Sequence, residues 1–206
     1  MLFNSIEFLI FFLIVIVIYF LLPHRFRWFW LLAASCYFYI RFIPIYIFVL
    51  FFLIIVDYTA GLMISGAKTP IRKKLFLILS LCANLGILGF FKYFNFFNSN
   101  IADLAHLIGW NYPLVLLQVL LPIGLSFHTF QSISYVIEVY KGNQKVEKNG
   151  GIYALYVMFF PQLVAGPIER PQHLLHQLHE KHDFDFQRVG RGFELMLWGF
   201  FKKLVV

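Results

Sequence analysis

"IYIFVLFFLIIVDYTAGLMI", residues 45–64, decides the class of fold. Apart from Asp57, the stretch carries no charged side chain and consists mostly of large apolar residues. The hydrocarbon core of a bilayer is about 30 Å thick, so a helix needs roughly 20 such residues to cross it. The stretch therefore predicts a transmembrane α-helix.

The composition of the whole chain indicates the same class. Of the 206 residues, 61% are hydrophobic, 20% aromatic and only 13% charged, whereas soluble domains have about 25% charged and 45–50% apolar residues. The net charge is +7, but the Lys and Arg residues stand in short clusters between apolar runs. This arrangement is typical of the positive-inside rule, not of a solvated nucleic-acid-binding patch. We predict a surrounding lipid bilayer and no nucleic acid partner.

Other apolar runs predict additional spans, and residues 101–110 are predicted as a short amphipathic surface helix. The polar stretch between two of the spans, residues 65–74, is predicted as a loop. The predicted fold is one polytopic, all-α integral-membrane domain over residues 1–206. The additional spans are predicted at residues 8–22, 28–40, 75–91 and 113–140, with a last one starting near residue 186.

The distribution of basic residues predicts the orientation. Clusters of Lys and Arg lie at residues 23–27, 65–74 and 141–150, whereas the loops between them hold only Arg41 and Lys92. Loops rich in Lys and Arg face the cytoplasm. We therefore predict an N-terminus outside the cytoplasm and five passes by residue 140, in a multi-pass protein of a cytoplasmic membrane.

The stretch "LPIGLSFHTFQSISY", residues 121–135, is unusually polar for an apolar chain. Polar groups at membrane depth are expensive and generally face a cavity or a partner. They could line a tunnel, or they could serve close helix–helix packing, and the spacing leaves both alternatives open. Two neighbouring sides of a helix would carry them: Ser126 and Thr129 on one, and His128, Gln131 and Tyr135 on the other.

A broken or re-entrant helix is predicted near residues 152–167. The run "IYALYVMFFPQLVAG" is too short to cross a bilayer comfortably, and it contains Pro161 beside Gln162. Irregular backbone at membrane depth is tolerated only where protein or a cavity covers it. The break is interpreted either as a structural elbow or as part of a substrate path. The predicted structural breaks are Pro122, Pro161, Gly166 and Pro167.

Three further patterns have two interpretations each. Asp57 is either a buried charge partner, for example of an arginine, or an acid at a helix end near the interface, which we prefer slightly. The histidines at three-residue spacing in "HLLHQLHEKH", residues 173–182, are interpreted as an amphipathic surface helix and not as a metal site. Cys36 and Cys82 are interpreted as small buried hydrophobic residues, with no disulfide or zinc site predicted.

Several motifs together resemble the membrane-bound O-acyltransferase family, in its bacterial branch of alginate O-acetyltransferase-like and D-alanyl-transfer-protein-like members. The start of the chain is similar to that branch, and "LPIGLSFHTFQSISYVIEVYKG" resembles its central P-x-G-x-S-F-x-T-F-Q-x-x-S-Y signature. "FFPQLVAGPIERPQ" resembles its F-P-x-x-x-x-G-P-I-x-R segment, and "RGFELMLWGFFKKLVV" the start of a later helix. The chain is similar to the N-terminal part of such a protein over essentially its whole length.

The resemblance implies an enzyme that transfers a short acyl group, typically acetyl, through a tunnel in a thin central region. An acyl-CoA or acyl-carrier thioester would donate the group from the cytoplasmic side of a bacterial inner membrane. A hydroxyl of an extracytoplasmic polysaccharide would accept it, with periplasmic proteins as further candidate partners and no cofactor. The tunnel-lining or substrate-lining residues implied are Ser126, His128, Thr129, Gln131, Tyr135, Gln162 and Arg170.

The chain departs from the family pattern at two points. Relatives commonly carry a tyrosine at the position of His128, so His128 is not expected to be the catalytic residue. The histidine expected to act as general base, in a W-H-G-type segment, has no counterpart here and is expected beyond residue 206. The 206 residues alone are therefore expected to be inactive. The alternative is a non-catalytic scaffold or transporter subunit of an exopolysaccharide or cell-envelope system.

Overall fold

The computed structural model describes residues 3, 5–41, 44–107, 109–110, 124–163, 166 and 169–205. Within these ranges the chain is helical and contains no β-strand. A short 3-10 turn, Pro44–Tyr46, precedes the third helix. The helices are α1 Ile6–Leu21, α2 His24–Ile40, α3 Ile47–Gly66, α4 Pro70–Leu107, α5 Leu125–Lys141, α6 Gly150–Met158, α7 Pro171–His179 and α8 Phe186–Val205.

Local sequence signals set several helix ends. The Ser5 hydroxyl accepts a hydrogen bond from the Phe8 amide at 3.2 Å and caps α1, as serine does at many helix N-termini. The Asn149 side chain caps α6 by accepting from the Gly151 amide at 2.9 Å. Gly142 follows α5 with φ +80°, a left-handed conformation that glycine adopts without steric cost.

Two helices of the described residues are long and apolar enough to cross a membrane. One is α3 together with its preceding turn, Pro44–Gly66, and the other is α4. The first agrees with the span predicted at residues 45–64. Helices α1 and α2 coincide with predicted spans but have only 16 and 17 residues. A multi-pass arrangement therefore remains a proposal.

The prediction for α4 was wrong at both of its ends. Residues 75–91 and 101–110 were predicted as separate helices, but residues 75–91 and 101–107 belong to one helix of 38 residues, Pro70–Leu107, with Lys92 inside it. No proline interrupts this stretch, and the propensity cost of its asparagines, up to about 0.7 kcal/mol each, does not break a helix. The basic residues Arg72, Lys73 and Lys74 lie in its first turns, not in a loop. Cys82 is exposed on this helix, contrary to its interpretation as a buried residue.

The span predicted from residue 186 onward is also corrected. Helix α8 forms there, but it is not among the helices apolar enough to cross a membrane. Five charged residues interrupt its apolar side chains, and several of its large apolar side chains are exposed. These charged residues are Arg188, Arg191, Glu194, Lys202 and Lys203.

The main core is built by α3, α5 and α6. Helix α6 is almost completely buried, with Tyr153, Leu155 and Tyr156 at 0% exposure. It packs against α2 on one side and against α3, α5 and α7 on others. A second, mainly aromatic cluster joins α1 and α2 to the end of α6 through Phe8, Val15, Ala34, Phe38 and Phe160. The shortest of the apolar helices therefore lies at the centre of the molecule.

The break predicted after α6 is present. The helix stops at Met158, and a turn follows in which the Gln162 amide donates to the Phe159 carbonyl at 3.0 Å. Pro161 lies in this turn. A β-carbon on Gly166 would lie 2.6 Å from Gln162 Cα, so only glycine fits there. The other two predicted breaks, Pro122 and Pro167, lie outside the described residues.

Candidate functional site

The polar stretch that begins before α5 becomes one face of that helix. The backbone turns at Gly124, with φ +79°, and α5 starts at the next residue. His128, Thr129 and Gln131 point into the interior and are at most 1% exposed. Facing them is α6, whose backbone carbonyls supply hydrogen-bond acceptors. The candidate site is this α5–α6 polar cluster, defined as His128, Thr129, Gln131 and Gln162.

His128 is anchored by a single hydrogen bond. Its Nδ1 lies 2.9 Å from the Val157 carbonyl oxygen. Because a carbonyl only accepts, Nδ1 carries the proton and Nε2 keeps its lone pair in the neutral ring. Nε2 is buried and has no hydrogen-bond partner among the described residues. The Tyr39 ring lies edge-on at 6.3 Å between centroids, and in the described part of the chain the Tyr39 hydroxyl likewise has no partner.

Gln131 and Gln162, predicted from separate motifs, come together. The Gln131 amide nitrogen donates to the Tyr156 carbonyl at 2.7 Å and reaches the Gln162 side-chain oxygen at 3.5 Å. Within the part of the chain that the structure describes, the Gln131 side-chain oxygen is buried without a partner, as is the Thr129 hydroxyl. Gln162 is only partly buried, so the cluster reaches toward the turn after α6.

The other predicted site residues lie apart from this cluster. The Tyr135 hydroxyl accepts from the Glu147 amide at 2.9 Å, so it holds the loop between α5 and α6. A β-carbon on Gly61 would lie only 3.0 Å from the Tyr135 ring, so α3 approaches it closely. Ser126 is half-buried, and Arg170 is exposed at the start of α7. The structure therefore gathers the predicted residues only in part.

Sequence reasoning missed a second buried polar cluster around Asp57. This carboxylate is 0% exposed near the middle of α3. Its Oδ1 accepts from the Ser80 hydroxyl at 2.6 Å and from the Asn84 amide at 2.7 Å, whereas Oδ2 meets no hydrogen-bond partner in the described ranges. The preferred interpretation as an interfacial acid was wrong, and the partners are polar residues of α4 instead of an arginine. Ser80 and Asn84 are four residues apart, a spacing that could have indicated this face.

The histidine-rich segment forms the surface helix that was predicted. Leu174 and Leu175 of α7 are buried, whereas His176 pairs with Glu180 at 3.0 Å and His179 with Glu147 at 2.7 Å on the surface. Among the described residues, no group of three or more His, Cys, Asp or Glu side chains gathers to hold a metal ion. The contacts of His176 and His179 are therefore pairs with carboxylates at the surface.

The chemistry available to the α5–α6 polar cluster is hydrogen bonding. A buried polar atom without a partner costs about 1–3 kcal/mol, and among the described residues three such atoms gather in this cluster, on His128, Thr129 and Gln131. The described part of the cluster places no carboxylate against His128 and no nucleophile within its reach.

Two alginate O-acetylases and a peptidoglycan O-acetyltransferase match most or all of this chain, but the matched part is only about two fifths of each relative. The chain is 36% identical over 209 residues to the probable alginate O-acetylase AlgI of Pseudomonas aeruginosa, covering 100% of this chain and 40% of that protein. It is 34% identical over 203 residues to the peptidoglycan O-acetyltransferase of Helicobacter pylori, covering 86% of this chain and 38% of that protein. The AlgI protein of Azotobacter vinelandii is 35% identical over 214 residues, with 100% and 41% covered.

The chain thus spans about two fifths of the length of the curated relatives it matches. No protein-family model and no solved structure matches it. The matches to the two AlgI proteins nevertheless cover 100% of this chain, with about one position in three identical overall. On this evidence, the resemblance of the chain to the membrane-bound O-acyltransferase family is confirmed, because its curated homologues are alginate O-acetylases and a peptidoglycan O-acetyltransferase.

Proposed function

We propose that this chain is part of an O-acyltransferase that moves a short acyl group, acetyl by analogy with its relatives, onto a polysaccharide. The donor is a thioester, acyl-CoA or an acyl carrier, on the cytoplasmic side, and the acceptor hydroxyl is extracytoplasmic. One observation carries the proposal: identity of 34–36% with an alginate O-acetylase and a peptidoglycan O-acetyltransferase. Both names describe acetyl transfer to a cell-envelope or extracellular polymer.

The α5–α6 polar cluster supports a role in holding the donor. Its atoms without a partner among the described residues include a hydroxyl that donates, on Thr129, and acceptors on His128 and Gln131. An acyl thioester presents a carbonyl oxygen and, in a pantetheine arm, amide groups that match such atoms. Ser126 lies at the start of the same helix, near the entry of this path. Tyr135 and Arg170 act outside it, the first by holding the neighbouring loop and the second by meeting donor phosphates at the surface.

The proposed reaction is acyl transfer by a tetrahedral intermediate. The acceptor hydroxyl attacks the thioester carbonyl, the carbon–sulfur bond breaks, and the thiol leaves with the carrier. A general base takes the hydroxyl proton and delivers it to the departing thiolate. The family histidine expected beyond residue 206 supplies that base, and His128 serves in binding only.

The proposed location is a bacterial cytoplasmic membrane, crossed several times. The two helices apolar enough to span support it. The basic stretches at the start of α2, from the end of α3 into the first turns of α4, and between α5 and α6 are proposed to face the cytoplasm. Periplasmic proteins that complete the modification are proposed partners.

The test is an ester assay on cells that produce the complete protein. Polysaccharide from wild-type cells, from a deletion strain and from Gln131→Leu cells is hydrolysed with mild base, and the released acetate is measured. We expect no acetate from the deletion strain and a decrease of about tenfold or more for Gln131→Leu, because a misplaced donor reacts much more slowly. Phe130→Leu, on the exposed side of α5, is the matched control.

The same assay distinguishes the second candidate, a scaffold or transporter subunit. The absence of a base–nucleophile pair in the described α5–α6 polar cluster favours this candidate. If the deletion lowers the amount of exported polysaccharide but leaves acetate per sugar unchanged, the acyltransferase proposal is wrong. Membrane levels of each variant, measured by immunoblot, exclude loss of the protein as the cause.

A further inference from the structure

A cavity of about 510 Å³ lies on the other side of α6, away from the α5–α6 polar cluster. Residues of α1, α2, α6 and α7 line this partly open cavity, and none of the cluster residues does. Its volume is in the range of roughly 300–1,000 Å³ that small-molecule sites occupy. The walls are apolar. Phe12 and Ile16 line the cavity from α1, and Ile152 and Leu155 line it from α6, together with Phe159, the residue that follows α6.

The same cavity has a basic mouth. His24, Arg25 and Arg27 line it at the start of α2, and His179 and His182 line it near the end of α7. His179 already pairs with Glu147. Neither arginine has a carboxylate partner within 4 Å among the described residues. The mouth therefore carries positive charge that this part of the chain leaves uncompensated.

Arg27 shows the imbalance most clearly because it is only 8% exposed. Its Nε donates to the Leu22 carbonyl at 3.0 Å, and Nη1 donates to the His182 carbonyl at 2.5 Å. The guanidinium stacks over the Tyr19 ring at 4.9 Å. These contacts orient the group but do not neutralise it, and a buried charge without a counter-ion is costly. An anion bound next to the apolar walls of the cavity would neutralise the charge of Arg27.

We infer that this cavity binds an anionic phospholipid of the surrounding bilayer. The phosphate lies at Arg25 and Arg27, whose guanidinium groups match phosphate geometry, and an acyl chain lies between α1 and α6. Basic residues next to apolar segments attract anionic lipids of the cytoplasmic leaflet. The inference rests on the proposed membrane location but not on the acyl-transfer reaction, because the cavity and the α5–α6 polar cluster share no residue.

The test is native mass spectrometry of the complete protein, released from nanodiscs that contain phosphatidylglycerol and phosphatidylcholine in equal amounts. We expect one phosphatidylglycerol per chain to stay bound to the wild type. Arg25→Gln and Arg27→Gln should each reduce its retention about fivefold, the usual weight of one basic residue near an anionic surface. Arg41→Gln, an exposed arginine at the opposite end of α2, should retain it fully.

A second pair of variants tests the cavity itself. Ile16→Trp fills the cavity from α1 and should displace the lipid, whereas Val17→Trp, at a 56% exposed position on the same helix, should not. Because Arg27 is buried, its replacement could also lower stability, but Arg25 is exposed and Ile16 is only half-buried. Equal retention of both lipids, or no lipid on the wild type because another part of the protein fills the cavity, would overturn the inference. Acetate release, measured in parallel, reports on the proposed function separately.

Discussion

Helices α6 and α4 show how differently two apolar segments of one chain can be used. Helix α6 has nine residues and is buried almost throughout. Helix α4 has 38 residues, and most of its large apolar side chains are exposed. At about 1.5 Å per residue, α4 is about 57 Å long and α6 about 14 Å, against a hydrocarbon core of about 30 Å. One helix exceeds the core and the other cannot cross it.

The contrast shows that apolar side chains have two separate roles in this protein, exposure toward lipid in α4 and core packing in α6. In α4 the apolar side chains suit lipid, and only its small or polar residues Ser80, Asn84, Asn98, Ala102 and Ala105 are buried against neighbours. In α6 the apolar side chains are the packing core itself. Since hydrocarbon is as apolar as leucine, helices in lipid associate through close packing and polar contacts. Removal of the same side chain should therefore have unequal effects in the two helices.

The largest expected difference concerns a leucine. Leu155→Ala in α6 should lower the free energy of unfolding by about 2–5 kcal/mol, because it leaves a cavity in a closely packed interior. Leu79→Ala in α4, at a position that is 56% exposed, is the matched control and should change it by less than about 0.5 kcal/mol. Unfolding of the complete protein in detergent micelles, followed by circular dichroism, measures both. Equal losses would show that α4 is packed as tightly as α6.

The second difference concerns glycine and should have opposite signs in the two helices. A β-carbon on Gly151 would overlap the Trp28 ring of α2, so Gly151→Ala should destabilise by about 1–3 kcal/mol. No atom lies within 4 Å of the same position on Gly86, so Gly86→Ala should stabilise α4 by about 0.5–1 kcal/mol. Thermal midpoints of the two variants check the signs. A stabilising Gly151→Ala would contradict the close approach of α2 and α6.

The smallest effect concerns the polar contact that fastens α4 to α3. Asn84→Ala removes the amide that donates to Asp57, and hydrogen bonds between membrane helices contribute about 0.6 kcal/mol on average and at most about 1.7. We expect the free energy of unfolding of Asn84→Ala to fall by an amount within that range. Asn100→Ala is the control, because the Asn100 amide donates to the Phe96 carbonyl of its own helix. Its free energy of unfolding should fall less than that of Asn84→Ala. If the control loses as much, Asp57 is not a specific link between the helices.

The local spacing of residues along the sequence was enough to predict part of the candidate site. His128 and Gln131 were predicted on one polar side of a helix, and the break near Pro161 was predicted from its proline and the shortness of the run. Their partners, the carbonyls of Val157 and Tyr156, could not be predicted, because these contacts join residues 25 to 29 positions apart. Backbone carbonyls also carry no residue-specific signal.

The errors have a common physical origin. Lys92 and the asparagines after it suggested the end of a span, but charge and polarity end the apolar zone without ending the helix. Asp57 was placed at an interface because an acid in an apolar run is costly when considered alone. Ser80 and Asn84 of the next helix reduce that cost, and only their packing against α3 reveals it.

The sequence by itself determined the helical, apolar class of the chain, the positions of α1 to α3, and its resemblance to membrane-bound O-acyltransferases. These follow from run length, composition and local motif order, which need no knowledge of neighbours. The tertiary structure alone decided that the short helix α6 is the core and that the long helix α4 is mostly exposed. It also decided that Arg27 lies buried beside an apolar cavity. Burial depends on which helices meet, and apolar residues that face lipid look the same in sequence as those that face protein.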